Sequence, residues 1–168
     1  MNLQRATAAD LAEVVALMNL AFRGGDGWAA EQGYIQGDRV RLGDLQAELA
    51  AGLPLWLRRD DAGALLGCFS LEFPDPLTGY LGMLTVAPGL QEQRLGRGLL
   101  EEAEARARQA GAARMRMSVI WVREALIAWY VRRGYAPTGE TKPFPYGDDR
   151  WGVPQRNDLY FMLLEKPL

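Results

Sequence analysis

The chain has 168 residues, 49% apolar and 24% charged, with 19 Lys and Arg against 21 Asp and Glu for a formal net charge of −2. That balance gives no general attraction to nucleic acid or an anionic membrane, and no apolar run approaches the ~18 residues that span a bilayer. Histidine is absent and Cys68 is the one cysteine, so Ser-His-Asp and Cys-His nucleophile systems and the usual His/Cys zinc sites are excluded. Carboxylates, tyrosines, backbone amides and water are left to carry any chemistry, and no metal is expected.

The length suits one domain over 1–168. The start, Met1 to Thr7, lacks the apolar core of an export signal, so a cytoplasmic protein is expected. A first strand over 2–6 leads into Thr7-Ala8-Ala9-Asp10, whose spacing is that of a helix-capping box. Leu11, Val14, Val15, Met18 and Phe22 then recur at helical spacing up to Gly24-Gly25. The glycine-rich stretch 23–43, with Trp28 and Tyr34, reads either as a substrate wall or as a surface loop pinned by two aromatics.

A short helix over 44–51 precedes strands at 53–59 and 64–73, which Asp60-Asp61-Ala62-Gly63 joins as a hairpin. Phe73-Pro74-Asp75-Pro76 ends the second, and a third strand runs from Tyr80 to Val86. Leu95, Leu99, Ala103 and Ala107 form one face of a helix over 95–109. Met115, Met117 and Val119 alternate as a strand, 122–133 reads as a helix closed by Gly134, and strands follow at 135–140 and 158–165. The strand-helix-strand unit from 80 to 120 predicts a right-handed crossover between parallel strands. Cys68, among apolar strand neighbours and without a basic partner, reads as a packed residue rather than an acyl carrier.

The chemistry concentrates in the turn Val86-Ala87-Pro88-Gly89-Leu90-Gln91-Glu92-Gln93-Arg94-Leu95-Gly96-Arg97-Gly98. Small residues at a helix start leave backbone N–H groups uncovered, and together with the macrodipole they suit a phosphate or diphosphate. Arg94 and Arg97 add charge. No Gly-Lys-Ser/Thr follows and the three-glycine dinucleotide spacing is missing, which points away from ATP and NAD.

Val-x-Pro followed by Gln93-x-x-Gly96-x-Gly98 resembles the diphosphate-binding motif of the GNAT superfamily of acyl-CoA-dependent N-acyltransferases. The run Tyr130-Val131-Arg132-Arg133-Gly134-Tyr135 is similar to that family's Tyr-x-x-x-Gly-Phe/Tyr helix end. The resemblance implies an α+β fold, with a mixed, mostly antiparallel central sheet of about seven strands flanked by about four helices. It also implies acetyl-CoA as cosubstrate and direct transfer of the acetyl group to a small-molecule or peptide amine. Leu84, Thr85 and Val86 would hold the pantetheine arm and thioester oxygen. The turn residues Gln91, Gln93, Arg94, Leu95, Gly96, Arg97 and Gly98 would hold the diphosphate, with Arg123, Leu126, Trp129 and Arg133 completing the CoA site.

Tyr130 would protonate the departing thiolate, a phenol near ~10 being protonated at neutral pH against a thiol near ~8.5. Glu72 and Glu31 are the first candidates for the base, with Asp148-Asp149 as a third, and Trp28 and Tyr34 would face the acceptor. The chain departs from the family pattern at Glu92 and Arg94, where many members carry glycine, and at Arg123 and Leu126, where Asn and Ala are common. A CoA-binding sensor of the same fold without turnover is the alternative, and pairing of the C-terminal strands is a route to a homodimer.

Overall fold

Strand β3 (Leu55–Arg59) pairs antiparallel with β1 (Asn2–Arg5) on one side and with β4 (Leu65–Asp75) on the other. The computed structural model describes residues 2–23, 33–90 and 94–168. β4 turns through Pro76 into β5 (Thr78–Val86), where the Asp75 carboxylate accepts the Leu77 N–H at 2.9 Å. β5 is followed by helix α3 (Leu95–Gln109) and by β6 (Arg114–Ile120), which runs parallel to β5 as the crossover rule requires. β9 (Tyr160–Pro167) pairs antiparallel along all of β6, and β7 (Ala136–Pro143) closes that edge. The sheet order is β1-β3-β4-β5-β6-β9-β7, seven strands with a single parallel pair.

Alternation along the strands sorts side chains to two faces. Leu55, Leu57 and Cys68 pack against α1 (Leu11–Arg23) and α2 (Leu42–Ala50). Trp56, Phe69 and Leu71 face α3, which meets them with Leu95, Leu99, Leu100, Ala103 and Ala107. α3 lies close because the strands beneath it carry glycine. A Cβ on Gly67 would stand 2.6 Å from the Thr85 carbonyl oxygen and 2.7 Å from Leu99 Cδ1, and one on Gly79 would stand 3.1 Å from the Ala107 Cβ.

The described structure extends the sequence reading in several places. The β4–β5 hairpin is tighter than expected. Pro74 is tolerated in β4 because the register slips between Glu72 and Asp75, where no ladder N–H is required of it. Helix α4 (Glu124–Val131) is shorter than the expected 122–133, and β7 runs three residues past its expected end at 140, to Pro143. A two-residue ribbon of β2 (Ile35–Gln36) and β8 (Val153–Pro154) joins the 33–43 segment to the 145–158 segment, a non-local contact without sequence signature. Trp121, at the end of β6, is half-buried, donating from Nε1 to the Asp158 carbonyl at 2.8 Å and stacking on Tyr160.

Candidate active site

The parallel pairing of β5 and β6 lasts three residue pairs, from Thr78–Arg114 to Tyr80–Arg116. Beyond it the strands separate, and Leu81 to Leu84 on one side and Met117 to Ile120 on the other line a cavity of about 470 Å³. The cause is a bulge. Cys68 opposes Thr85 but Ser70 opposes Gly82, so Met83 and Leu84 together face the single residue Phe69.

Met83 takes φ 54°, a left-handed conformation that costs a side-chain-bearing residue roughly 1–2 kcal/mol. Its carbonyl oxygen is held on the β4 side by the Thr85 hydroxyl at 2.9 Å and the Cys68 thiol at 3.6 Å. Because C=O and N–H point oppositely across a trans peptide, the Leu84 N–H is directed away from β4. Neither Met83 nor Leu84 has a partner in the β4 or β6 register. Thr85 and Val86 are buried at 0% and 1% exposure, pair with Cys68 and Gly67 of β4, and do not line the cavity, so the structure brings only Leu84 of the three to the site.

At the start of α3, Arg94 stands in the left-handed conformation, φ 59° and ψ 17°. Glycine adopts that conformation without the side-chain penalty that arginine bears there. The first backbone bond of the helix runs from Gly98 N to Arg94 O at 3.0 Å, so the N–H groups of Leu95, Gly96 and Arg97 precede it. Among the described residues a Cβ on Gly98 would meet only Arg58 Nη1, at 3.8 Å, an ordinary van der Waals contact. Gln91 and Gln93 lie outside the described residues, as do Trp28 and Glu31.

α4 brings Arg123, Leu126 and Tyr130 to the cavity wall opposite β5. Tyr130 is 5% exposed, and its ring is held edge-on by Trp129 at 5.1 Å and Tyr135 at 5.7 Å. Burial pushes its phenol well above the ordinary range, against a smaller downward pull from Arg123. Trp129 packs on the core beneath the Arg133 guanidinium, 3.9 Å from its ring, and neither residue lines the cavity. Tyr34 packs on the cluster of Ile35, Ile120, Phe144 and Leu159 beside it.

Glu72 lines the far end of the cavity together with Glu48 and Asp148. Glu48 escaped the sequence reading because it sits on a short helix with solvated neighbours. Burial raises its carboxyl above the usual glutamate range; the Glu72 and Asp44 charges add to this, while Arg39 and Arg150 oppose it. Between the two ends, Tyr80 Oη and Ser118 Oγ share a hydrogen bond of 2.7 Å across the point where β5 and β6 part. Gly152 is required nearby, since a Cβ there would stand 2.6 Å from Ile35 Cγ2 and 2.7 Å from Arg23 Nη2.

Residues 15–135 match the family described as the Acetyltransferase (GNAT) family. The chain belongs to that family. As a GNAT chain it is 34% identical over 108 residues to a mycothiol acetyltransferase of Beutenbergia cavernae, covering 64% of this chain and 36% of that protein. It thus spans about a third of the length of this curated relative.

The GNAT fold is shared with solved structures. The ribosomal-protein-alanine N-acetyltransferase from Brucella melitensis superposes with a TM-score of 0.68 at 21% identity, over 100% of both chains. A GNAT family acetyltransferase from Elizabethkingia anophelis with acetyl-CoA bound superposes with a TM-score of 0.67 at 18% identity, over 99% of this chain and 97% of that one.

Proposed function

We propose that this GNAT chain is an acyl-CoA-dependent N-acetyltransferase that moves an acetyl group from acetyl-CoA to a primary amine by direct transfer. The observation that carries the reading is the parting of β5 and β6 at the Met83 bulge. It opens a cavity with unpaired backbone on one wall and the Tyr130 phenol on the other. Its volume of about 470 Å³ suits the end of a pantetheine arm and a small acceptor.

In this reading the leading N–H groups of α3, with Arg94 and Arg97, hold the diphosphate. The Leu84 N–H donates to the thioester oxygen and strengthens that bond as negative charge develops there. Glu48 and Glu72 attract the acceptor's ammonium. Glu48, with its raised proton affinity, takes one proton and leaves a neutral amine. The amine nitrogen bonds to the carbonyl carbon, the C–S bond breaks, and Tyr130 gives its proton to the leaving sulfur. The second amine proton returns to the phenolate through the cavity. Arg123 and Leu126 shape the channel beside Tyr130. The names of the relatives cover both a small-molecule and a peptide amine, so both classes belong in the test.

The test is a thermal-shift series with acetyl-CoA and CoA, followed by CoA release with a panel of amino acids, polyamines and peptide N-termini. Turnover with at least one amine, reduced about a hundredfold in Tyr130→Phe, is expected. Tight binding of CoA with no acetyl transfer to any acceptor would favour the sensor reading instead.

A further inference from the structure

A second recess, of about 650 Å³, adjoins the acidic end of the cavity and shares Glu72 and Tyr80 with it. Tyr80, Arg116 and Leu163 come to it from β5, β6 and β9, Pro54 and Phe73 from one side, and Lys142 of β7 from the other. A molecule held in the cavity can therefore continue past Tyr80 into the recess.

Most of the charges around these two spaces are already matched. Arg116 donates to Glu165 at 2.6 Å and to Glu140 at 3.0 Å, and Asp75 accepts the Leu77 N–H and lies 4.0 Å from Arg114. In the cavity Asp148 accepts from Arg150, Arg23 donates to the Trp151 carbonyl, and the Arg39 and Arg123 guanidiniums lie over the Phe22 ring. Lys142 is different. Its Nζ stands 4.7 Å from the centre of the Tyr80 ring and 3.4 Å from Tyr80 Oη, and among the described residues it meets no carboxylate. Tyr80 is itself fixed by the hydrogen bond it shares with Ser118. An ammonium resting on a phenol beside an open recess keeps its capacity for an anion.

The two ends differ in sign and stand apart. Glu72 faces Tyr80 from β4, whereas Lys142 reaches it from β7, on the other side of β5 in the sheet. Leu84, whose N–H the proposed function gives to the thioester, lies beyond Tyr80 by four residues, about 13 Å of strand at roughly 3.3 Å each, part of which the Met83 bulge takes back. An anion on Lys142 is thus on the order of 10 Å from the reacting amine. An α-amino acid, with both charges on one carbon, cannot span that gap, and three residues of extended peptide can, at about 3.3–3.6 Å each. We infer that the acceptor is an extended amine carrying an anionic group about three peptide units from its nitrogen, and that Lys142 is the specificity-determining residue that receives this group. The exposed Phe73 ring, with Pro54, gives the connecting chain an apolar wall. This rests on the reading that the acetyl group is transferred opposite the Leu84 N–H.

The test is acetyl-CoA-dependent thiol release by the intact chain with Ala-Ala-Glu-Ala amide, with its Gln and Lys counterparts at the third residue, and with ω-aminooctanoic acid against its amide. Native sequence, Lys142→Gln, Lys142→Arg and Lys142→Glu are compared. The peptides and the free ω-amino acid present the same pair of charges, and the series that shows the preference identifies the source of the acceptor. In that series kcat/KM for the acidic acceptor is expected to exceed that for the neutral one about fivefold, through KM, which is the upper range for an ion pair open to solvent. Lys142→Arg should keep the preference, Lys142→Gln should bring the ratio close to one, and Lys142→Glu should turn it toward the Lys peptide. Raising salt should compress the native ratio. A native ratio of one or below in both series, turnover confined to amines without an anionic group, or a Lys142→Gln variant that weakens acidic and neutral acceptors alike overturns the role of Lys142 and leaves the transferase reading standing. If acetyl-CoA binds and no acceptor of any charge is acetylated, both readings fall together.

Discussion

Replacing Tyr130 with phenylalanine deletes one oxygen and leaves the ring that packs against Trp129 and Tyr135. No protein group among the described residues accepts from that hydroxyl, and the side chain is 5% exposed. The variant should therefore fold with a melting temperature close to the native value, because the phenol lines the cavity and its loss leaves the ring packing intact. Catalysis should fall. Positioned acids contribute about 10²–10⁴-fold, and a thiolate is an easy leaving group, so the lower end is expected: about a hundredfold in kcat, or about 2.7 kcal/mol at 1.36 kcal/mol per decade. The assay is thiol release at saturating acetyl-CoA with an acceptor found in the amine panel, alongside melting temperature and acetyl-CoA affinity. A kcat within twofold of native, with folding and affinity unchanged, would refute the role given to the phenol. A fall in kcat that merely tracks a fall in melting temperature would refute it too.

Gly67→Ala should lower the melting temperature by about 3–10 °C in calorimetry, since its Cβ would collide with the Thr85 carbonyl at 2.6 Å and with the fully buried Leu99, an overpacking cost of about 1–3 kcal/mol. Asp10→Asn should destabilise by about 1 kcal/mol at neutral pH, with urea titrations showing the gap close in acid. Burial acts to raise the Asp10 pKa, but bonds from the Thr7 N–H and hydroxyl and from Arg59 outweigh it and leave the folded value below 3.8. The stabilisation is thus present above the unfolded pKa and lost as pH falls through the lower folded one. Cys68, whose thiol burial pushes up to about 12, should resist Ellman's reagent at pH 8 until denaturant is added; rapid labelling of native protein would contradict its packing. Glu48→Gln should depress kcat/KM and remove a pH-dependent rise whose midpoint lies above the ordinary glutamate range; an unchanged pH profile would assign the proton to another group.

Much of this architecture could be read from local pattern. The α3 stripe of Leu95, Leu99, Ala103 and Ala107 has the helical period and is buried against the sheet. Leu55, Leu57 and Phe69, Leu71 alternate onto the faces that period-two spacing implies. The turn before α3 and the Tyr130–Tyr135 corner carried a family resemblance because a tight backbone demands small or left-handed residues at fixed offsets. Glu48 was not legible in the same way. Its spacing on α2 is that of a solvated residue, and only the approach of Glu72 and Asp148 from β4 and the Asp148–Trp151 turn makes it part of a cavity.

By itself the sequence determined where most helices and strands form, because those properties depend on neighbours a few residues apart. Tertiary structure alone decided that β5 and β6 part after Tyr80 and Arg116. That separation comes from a one-residue slip of β5 against β4 at Met83, and a slip exists only relative to a partner strand. The same holds for the acidic end of the cavity, whose Glu48, Glu72 and Asp148 come from α2, β4 and the turn before Trp151. No local pattern can report an encounter between segments so far apart in the chain.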